Sequence, residues 1–70
     1  MEIHLIFYSN DRWLAIEAGA WRIVDRGEDY VTDDPVQKMR DAHPGADIHT
    51  GMLVPMDQYA RFVSFVEADT

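Results

Sequence analysis

Residues 2–8 read EIHLIFY, and apolar and polar side chains alternate along most of this segment. Ile3, Leu5 and Phe7 fall on one side of an extended chain, because successive side chains of a strand point to opposite faces. Glu2 and His4 fall on the other side. The segment therefore predicts a β-strand with one buried face, and the other elements can be placed outward from it.

The segment that follows this strand predicts two hairpins. Residues 9–12 carry Ser, Asn and Asp side chains, which bond the backbone in turns and also cap helices. Residues 13–18 therefore fit either a short helix that ends at Gly19 or part of a second strand over residues 12–17, and we favour the strand. Residues 20–25 and 29–32 contain β-branched and aromatic side chains and flank a short loop with a glycine, which predicts another hairpin.

A helix is predicted after the acidic residues of positions 25–34. It begins at Asp34, whose carboxylate can cap free N–H groups, while Pro35 suits the first helical position and Gln37 completes a capping box. It ends by His43, because a Pro-Gly pair follows. The capping chemistry therefore defines both ends of this element.

The last element has the strongest pattern, and it follows an extended segment predicted at residues 47–54. Apolar side chains recur at helical spacing, at Met56, Tyr59, Phe62, Val63 and Val66. Asp57 lies in the first turn, where the helix dipole favours a negative charge. The elements together predict an α+β fold, a small mainly antiparallel sheet with two helices, the longer one C-terminal.

The composition supports one compact acidic domain over residues 1–70. The chain is 47% hydrophobic, enough for one core, although a chain of this size buries only about 60% of its surface. Trp13, Trp21, Met52 and Met56 are expected in that core. There is no cysteine, as is typical of a reducing cytoplasm. No basic region precedes an apolar run, and no run approaches the roughly 18 residues of a membrane span, so neither secretion nor membrane insertion is expected.

Net charge is the strongest compositional signal. The chain has 13 acidic against 6 basic residues, which gives a formal net charge of −7. A field of this sign repels nucleic acid and attracts basic surfaces. The charge is concentrated in residues 25–34, where Arg26 is the one basic residue. The acids of this stretch are the predicted partner-binding residues: Asp25, Glu28, Asp29, Asp33 and Asp34.

The spacing of these acids fits a row of phosphates. If residues 28–32 form a strand, side chains on one face stand about 6.7 Å apart, within a factor of about two of the ~3.4 Å between charges along one DNA strand. Asp34 is expected to be committed to capping, which leaves Asp33 freer to bind. The alternative is a hairpin edged by solvated charge.

The sequence contains few residues in the arrangements that catalysis requires. Ser9 and Ser64 lie in no nucleophile motif such as G-x-S-x-G, and the four glycines are too dispersed for a phosphate-binding loop. We therefore expect no enzymatic activity and no cofactor.

A metal site is a second alternative function. Asp41, His43, Asp47 and His49 are of the ligand types that bind divalent ions, but their spacing matches no motif, so no metal is expected. His43 also suits a helix C-terminus, and His4 is expected to be a plain surface residue.

The profile of the whole chain resembles one group, the small, acidic, cysteine-free anti-CRISPR proteins of phages and mobile elements, some of which mimic DNA. The features that carry this resemblance are the length, the charge of −7 and the acidic centre that includes Glu28 and Asp33. The resemblance implies a cytoplasmic inhibitor in a bacterial host cell, a monomer or weak homodimer that binds no nucleic acid itself. Its implied target is the DNA-binding surface of a CRISPR effector, above all the large subunit of a type I surveillance complex. Immunity proteins and antitoxins that neutralise cationic nucleases or toxins share this profile and remain the first alternative.

Overall fold

The computed structural model describes residues 1–68, apart from the side chains of Met52, Glu67 and Ala68. The described elements, in chain order, are β1 (Glu2–Tyr8), β2 (Trp13–Glu17), β3 (Arg22–Gly27), α1 (Tyr30–Asp33), α2 (Pro35–Ala42), β4 (Asp47–Val54) and α3 (Asp57–Ala68). The predicted α+β class is confirmed, with α3 as the longer, C-terminal helix.

The four strands form one mixed sheet in the order β3-β2-β1-β4. The pairs β1·β2 and β2·β3 are antiparallel, whereas β4 lies parallel to β1. At one end of the sheet, Gly27 of β3 pairs with Trp13 of β2, which pairs with Phe7 of β1. At the other end, Glu2 of β1 pairs with Asp47 of β4. These two ends are called the Trp13 end and the Glu2 end below.

Helices cover both faces of the sheet. On one face, Ile3, Leu5, Trp13 and Ala15 form a buried cluster with Met39 of α2. On the other face, the buried cluster consists of Tyr8, Leu14 and Ile16, and three side chains of α3 pack against it, namely Tyr59, Phe62 and Val63. The hydrophobic core is therefore divided by the sheet into an α2 face and an α3 face.

Strand β2 is central, and this explains its ambiguous sequence pattern. Residues 13–16 are all buried, because α2 covers one of their two faces and α3 covers the other. A strand buried on both sides shows a continuous apolar run and no alternation. The strand predicted for residues 12–17 is confirmed, and it forms the predicted hairpin with β1.

The second predicted hairpin is wrong in its second half. Residues 22–27 form β3, but residues 30–33 form a helical turn, α1. Asp29 has extended dihedral angles and accepts hydrogen bonds from the backbone N–H groups of Val31 and Thr32, which is the geometry of an N-cap. The ring of Tyr30 packs on Phe7 at a centroid distance of 5.2 Å. Tertiary packing of this aromatic ring overrides the local β preference.

Helix α2 has the predicted bounds but not the predicted cap. Asp34 lies in the left-handed region, with φ at 46°, and its side chain makes no cap hydrogen bond. The Gln37 amide donates to Asp41 instead of completing a capping box. The carbonyl of Asp34 nevertheless accepts the first helical bond, from the N–H of Lys38. The expected capping role of Asp34 is therefore wrong, and Asp29 caps α1 in its place.

The core predictions hold for some of the large side chains and fail for others. Trp13 is fully buried, whereas Trp21 is 52% exposed and Met56 is 61% exposed. Trp21 lies in the turn between β2 and β3, and its φ of 51° turns this residue away from strand geometry. The prediction of Met52 as a core residue concerns a side chain outside the described set.

No described helix is long and apolar enough to cross a membrane, as judged over residues 1–68.

Candidate functional site

Residues 28–34 form a continuous acidic segment at the Trp13 end of the sheet. They follow directly on Gly27, the last residue of β3, and contain four carboxylates and no basic residue. The segment is tied to the β1–β2 turn, because the N–H of Tyr30 donates to the carbonyl of Asp11 at 3.0 Å. Residues 28–34 are called the acidic segment below.

Asp29 is a structural member of the acidic segment. One carboxylate oxygen accepts from the N–H groups of Val31 at 3.0 Å and Thr32 at 3.3 Å, and the other accepts from the Thr32 hydroxyl at 3.1 Å. These bonds, above all the one from the Thr32 backbone, lower the pKa of Asp29 below its ordinary value of 3.8. Asp29 is thus negatively charged at neutral pH while it holds the helical turn together.

Asp33 is the second structural member of the segment. Its carboxylate accepts a hydrogen bond of 2.9 Å from the indole N–H of Trp13, whose ring is fully buried. Gly27 leaves room for this contact, because a Cβ at that position would lie 2.4 Å from both bonded atoms. Asp33 was expected to be the freer residue, but it satisfies a buried donor of the core.

Asp25 lies on β3, next to the acidic segment, and it also has contacts within the fold. It accepts a hydrogen bond from the N–H of Arg26 at 2.8 Å and lies 3.9 Å from the ammonium group of Lys38. That ammonium is also 5.6 Å from the centre of the Trp13 ring, a cation–π geometry. Part of the Asp25 charge is therefore compensated by α2.

Glu28 and Asp34 are the acids best placed to meet a partner. Both are exposed, and Asp34 is freed from capping by its left-handed backbone. The regular 6.7 Å spacing of a strand does not apply, because residues 30–33 are helical. The segment instead presents a compact group of carboxylates whose backbone is held in place by Asp29 and Asp33, and such a group can bind Lys or Arg side chains.

An apolar groove lies along α3, and its lining contains no residue of the acidic segment. Its volume is about 480 Å³, and its lining includes Ile6, Val54, Phe62 and Phe65. Phe65 is 60% exposed and packs edge-to-face on Trp21 at a centroid distance of 6.3 Å. Phe65 lies outside the helical pattern of apolar residues in α3, whereas no sequence signal distinguished Trp21 from a core residue. They form the second surface of the molecule that could contact another protein.

The four residues of the alternative metal site are not brought together. Among the described side chains, Asp41, His43 and Asp47 do not come together with His49 within the range of one metal ion. His49 instead meets Glu2 and His4, and one ligand atom from each of these three lies within 4.8 Å of the others. The alternation of Glu2 and His4 along β1 is visible in the sequence, but their approach to His49 depends on the pairing of β1 with β4.

No family model, characterised protein or solved structure matches this chain. The two surfaces and the charge distribution define a small α+β domain that is acidic at one end of its sheet and apolar along its last helix.

Proposed function

We propose that this chain is a binding protein, without catalytic activity or cofactor, that inhibits a larger protein by covering a basic, DNA-binding surface. The observation that carries the proposal is the acidic segment, in which four of seven residues are acidic. The carboxylate of Asp33 fastens this segment to Trp13 of the core, and that of Asp29 holds the helical turn inside it. Because the backbone that carries Glu28 and Asp34 is held in place before binding, it loses little conformational entropy when the segment meets a partner.

The charge of the whole molecule supports this mode of binding. A net charge of −7 on 70 residues attracts cationic surfaces over distances of about one Debye length, near 10 Å at 0.1 M salt. Such attraction speeds encounter and selects basic partners. In the complex, the exposed carboxylates of Glu28 and Asp34 take the places of DNA phosphates opposite Lys and Arg side chains.

The particular target we propose is a CRISPR effector in the cytoplasm of a bacterial host, on the profile resemblance to small acidic anti-CRISPR proteins. The large subunit of a type I surveillance complex is the first effector to test, because it engages DNA through a basic surface. A cationic nuclease or toxin presents the same chemistry, and an immunity protein or antitoxin would use the same acidic segment. The two candidates differ in partner and not in mechanism.

The proposal can be tested by removing charge where the fold does not need it. The double variant Glu28→Gln with Asp34→Asn removes two negative charges from exposed positions, and asparagine is tolerated in the left-handed conformation of Asp34. It should fold normally and bind a type I surveillance complex at least about tenfold more weakly, a loss of about 1.4 kcal/mol. Glu28→Lys, which reverses one charge, should weaken binding as well.

The matched control is Asp41→Asn with Asp47→Asn. It also removes two charges, from exposed positions near the end of α2 and at the start of β4. The amide oxygen introduced at position 41 can still accept the hydrogen bond that Gln37 donates to Asp41. Asp29 and Asp33 are unsuitable as test positions, because their loss would confuse binding with folding.

Binding is measured by calorimetry, with a DNA duplex as competitor. The proposal predicts that the control double variant binds like the unaltered chain and that DNA and this protein exclude each other. Equal affinity for both double variants would contradict the role of the acidic segment. A ternary complex with DNA would contradict mimicry. Binding to a cationic nuclease, with none to the surveillance complex, would favour the immunity-protein alternative.

A further inference from the structure

We propose that Glu2, His4 and His49 bind a first-row transition-metal ion such as Zn²⁺ at the Glu2 end of the sheet. The site is separate from the acidic segment, because it lies at the opposite end of β1. It uses chemistry that the proposed inhibitor function does not require.

The sheet itself brings the three side chains together. His4 and His49 are direct register partners in the parallel pair β1·β4, so their side chains leave the same face at neighbouring positions. Glu2 precedes His4 by two residues, which places it on that same face of β1. The two imidazole rings stack at a centroid distance of 4.9 Å with an interplanar angle of 25°. Two paired strands therefore define the site, and strands position ligands more precisely than loops do.

The distances between Glu2 and the two histidines are close to those between two ligands of one ion. Donor atoms bound to one tetrahedral Zn²⁺ at about 2.0–2.1 Å lie about 3.4 Å from one another. The His49 Nε2 atom is 3.3 Å from one Glu2 oxygen, and the His4 Nε2 atom is 3.8 Å from the other. All three ligand atoms lie within 4.8 Å of one another. The three side chains are exposed, so their χ angles can adjust to bring the ligand atoms to an ion.

The donor set selects the class of ion. Two imidazole nitrogens and one carboxylate suit Zn²⁺, Ni²⁺ or Cu²⁺, whereas Ca²⁺ and Mg²⁺ prefer several oxygen ligands. Three protein ligands also leave one tetrahedral position for water. The absence of cysteine from the chain leaves imidazole as its best ligand for such ions.

A bound ion would join two strands that are distant in sequence. Strand β4 is one of the two edge strands, and among the described strands it pairs with β1 alone. A metal held by His4 and His49 bridges this pairing in the folded state, while the ligands of the unfolded chain are dispersed. Binding to the folded state alone raises thermal stability by mass action.

The experiment is a titration of the untagged chain with ZnCl₂ at neutral pH, followed by calorimetry and by thermal unfolding. We expect saturable binding of one ion per chain and an increase in Tm of several degrees at excess Zn²⁺. Co²⁺ in place of Zn²⁺ should give the visible absorption of a tetrahedral site. Chelation with EDTA should reverse both effects and leave affinity for a basic protein partner unchanged.

The three histidines of the chain provide matched variants. Loss of a residue that only hydrogen-bonds a metal ligand already lowers metal affinity about 10–100-fold. Loss of a ligand itself, in His4→Gln or His49→Gln, should therefore weaken binding at least about tenfold. Glu2→Gln, at an exposed position, should weaken it with no effect on folding. His43→Gln removes a histidine outside the cluster and should bind like the unaltered chain.

Two results would overturn the proposal. The first is that no saturable binding is seen at Zn²⁺ concentrations up to about 1 mM, because a dissociation constant above about 1 mM is too weak for a specific site. The second is an equal loss of affinity in His43→Gln and His49→Gln, which would show diffuse binding to surface histidines. If His4→Gln unfolds, Glu2→Gln and His49→Gln still decide between a site and diffuse binding.

Discussion

Gly27 lies beside the hydrogen bond between the indole of Trp13 and the carboxylate of Asp33, and it has no space for a side chain. A Cβ there would lie 2.4 Å from the Asp33 oxygen and from the Trp13 nitrogen. Gly27→Ala should therefore separate these two groups and lower the free energy of unfolding by about 1–3 kcal/mol, the usual cost of overpacking. Urea denaturation measures the change.

Gly19 is the matched control for this prediction. A Cβ at Gly19 meets no heavy atom within 4 Å, and its φ lies outside the left-handed region. Gly19→Ala should leave stability unchanged or raise it by up to about 1 kcal/mol, because alanine restricts the unfolded chain. Equal destabilisation by both substitutions would show that the contact at Gly27 does not control stability.

The roles of individual acidic residues were the features that the sequence predicted least well. The acids at positions 29, 33 and 34 look alike in the sequence, and a Pro at position 35 made Asp34 the obvious cap. The structure assigns the cap to Asp29 and a core hydrogen bond to Asp33. The reason is that Trp13, twenty residues away in the chain, determines where the carboxylate of Asp33 must lie.

At the scale of elements, the short helix α1 depends on the charge of Asp29. Hydrogen bonds from Thr32 lower the pKa of Asp29 in the folded state, so the folded state prefers the ionised form more than the unfolded chain does. The stabilisation is fully present above the ordinary pKa of 3.8 and is lost as the pH falls through the lower, folded-state value. Stability of the unaltered chain should therefore decrease in this acidic range.

The variant Asp29→Ser isolates this contribution. Serine keeps a capping oxygen but does not titrate, so the fall in stability between neutral and acidic pH should be smaller than in the unaltered chain. Urea denaturation at a series of pH values provides the comparison, with Glu28→Gln as the control for loss of a neighbouring charge. An unchanged pH profile in Asp29→Ser would contradict the assignment of the cap.

At the scale of the whole molecule, the net charge of −7 makes partner binding sensitive to salt. Added salt shortens the Debye length from about 30 Å at 0.01 M to about 8 Å at 0.15 M. Affinity for the partner should therefore fall steeply between these concentrations, and most of the change should appear in the association rate. Surface plasmon resonance at several salt concentrations measures both quantities.

Affinity that does not change with salt would indicate a different interface. The exposed pair Trp21 and Phe65, beside the groove along α3, is the apolar surface that would then be expected to bind. Trp21→Ala with Phe65→Ala distinguishes the two cases, because this double variant should leave binding through the acidic segment intact.

Several features of this protein follow from its sequence alone, because they depend on neighbours in the chain. The alternation in residues 2–8 predicted β1, the Pro-Gly pair after His43 ended α2, and helical spacing of apolar residues placed α3. Each signal repeats within one element or lies at its boundary. The acidic charge and the α+β class also needed nothing beyond composition and the order of elements.

The tertiary structure alone decided the features that depend on contacts between distant residues. Packing of Tyr30 on Phe7 accompanies a helical turn where the local pattern favoured a strand. Parallel pairing of β4 with β1 brought His49 beside His4, forty-five positions earlier. The register of two strands and the burial of an aromatic ring arise from the whole chain at once, so no local window of sequence contains them.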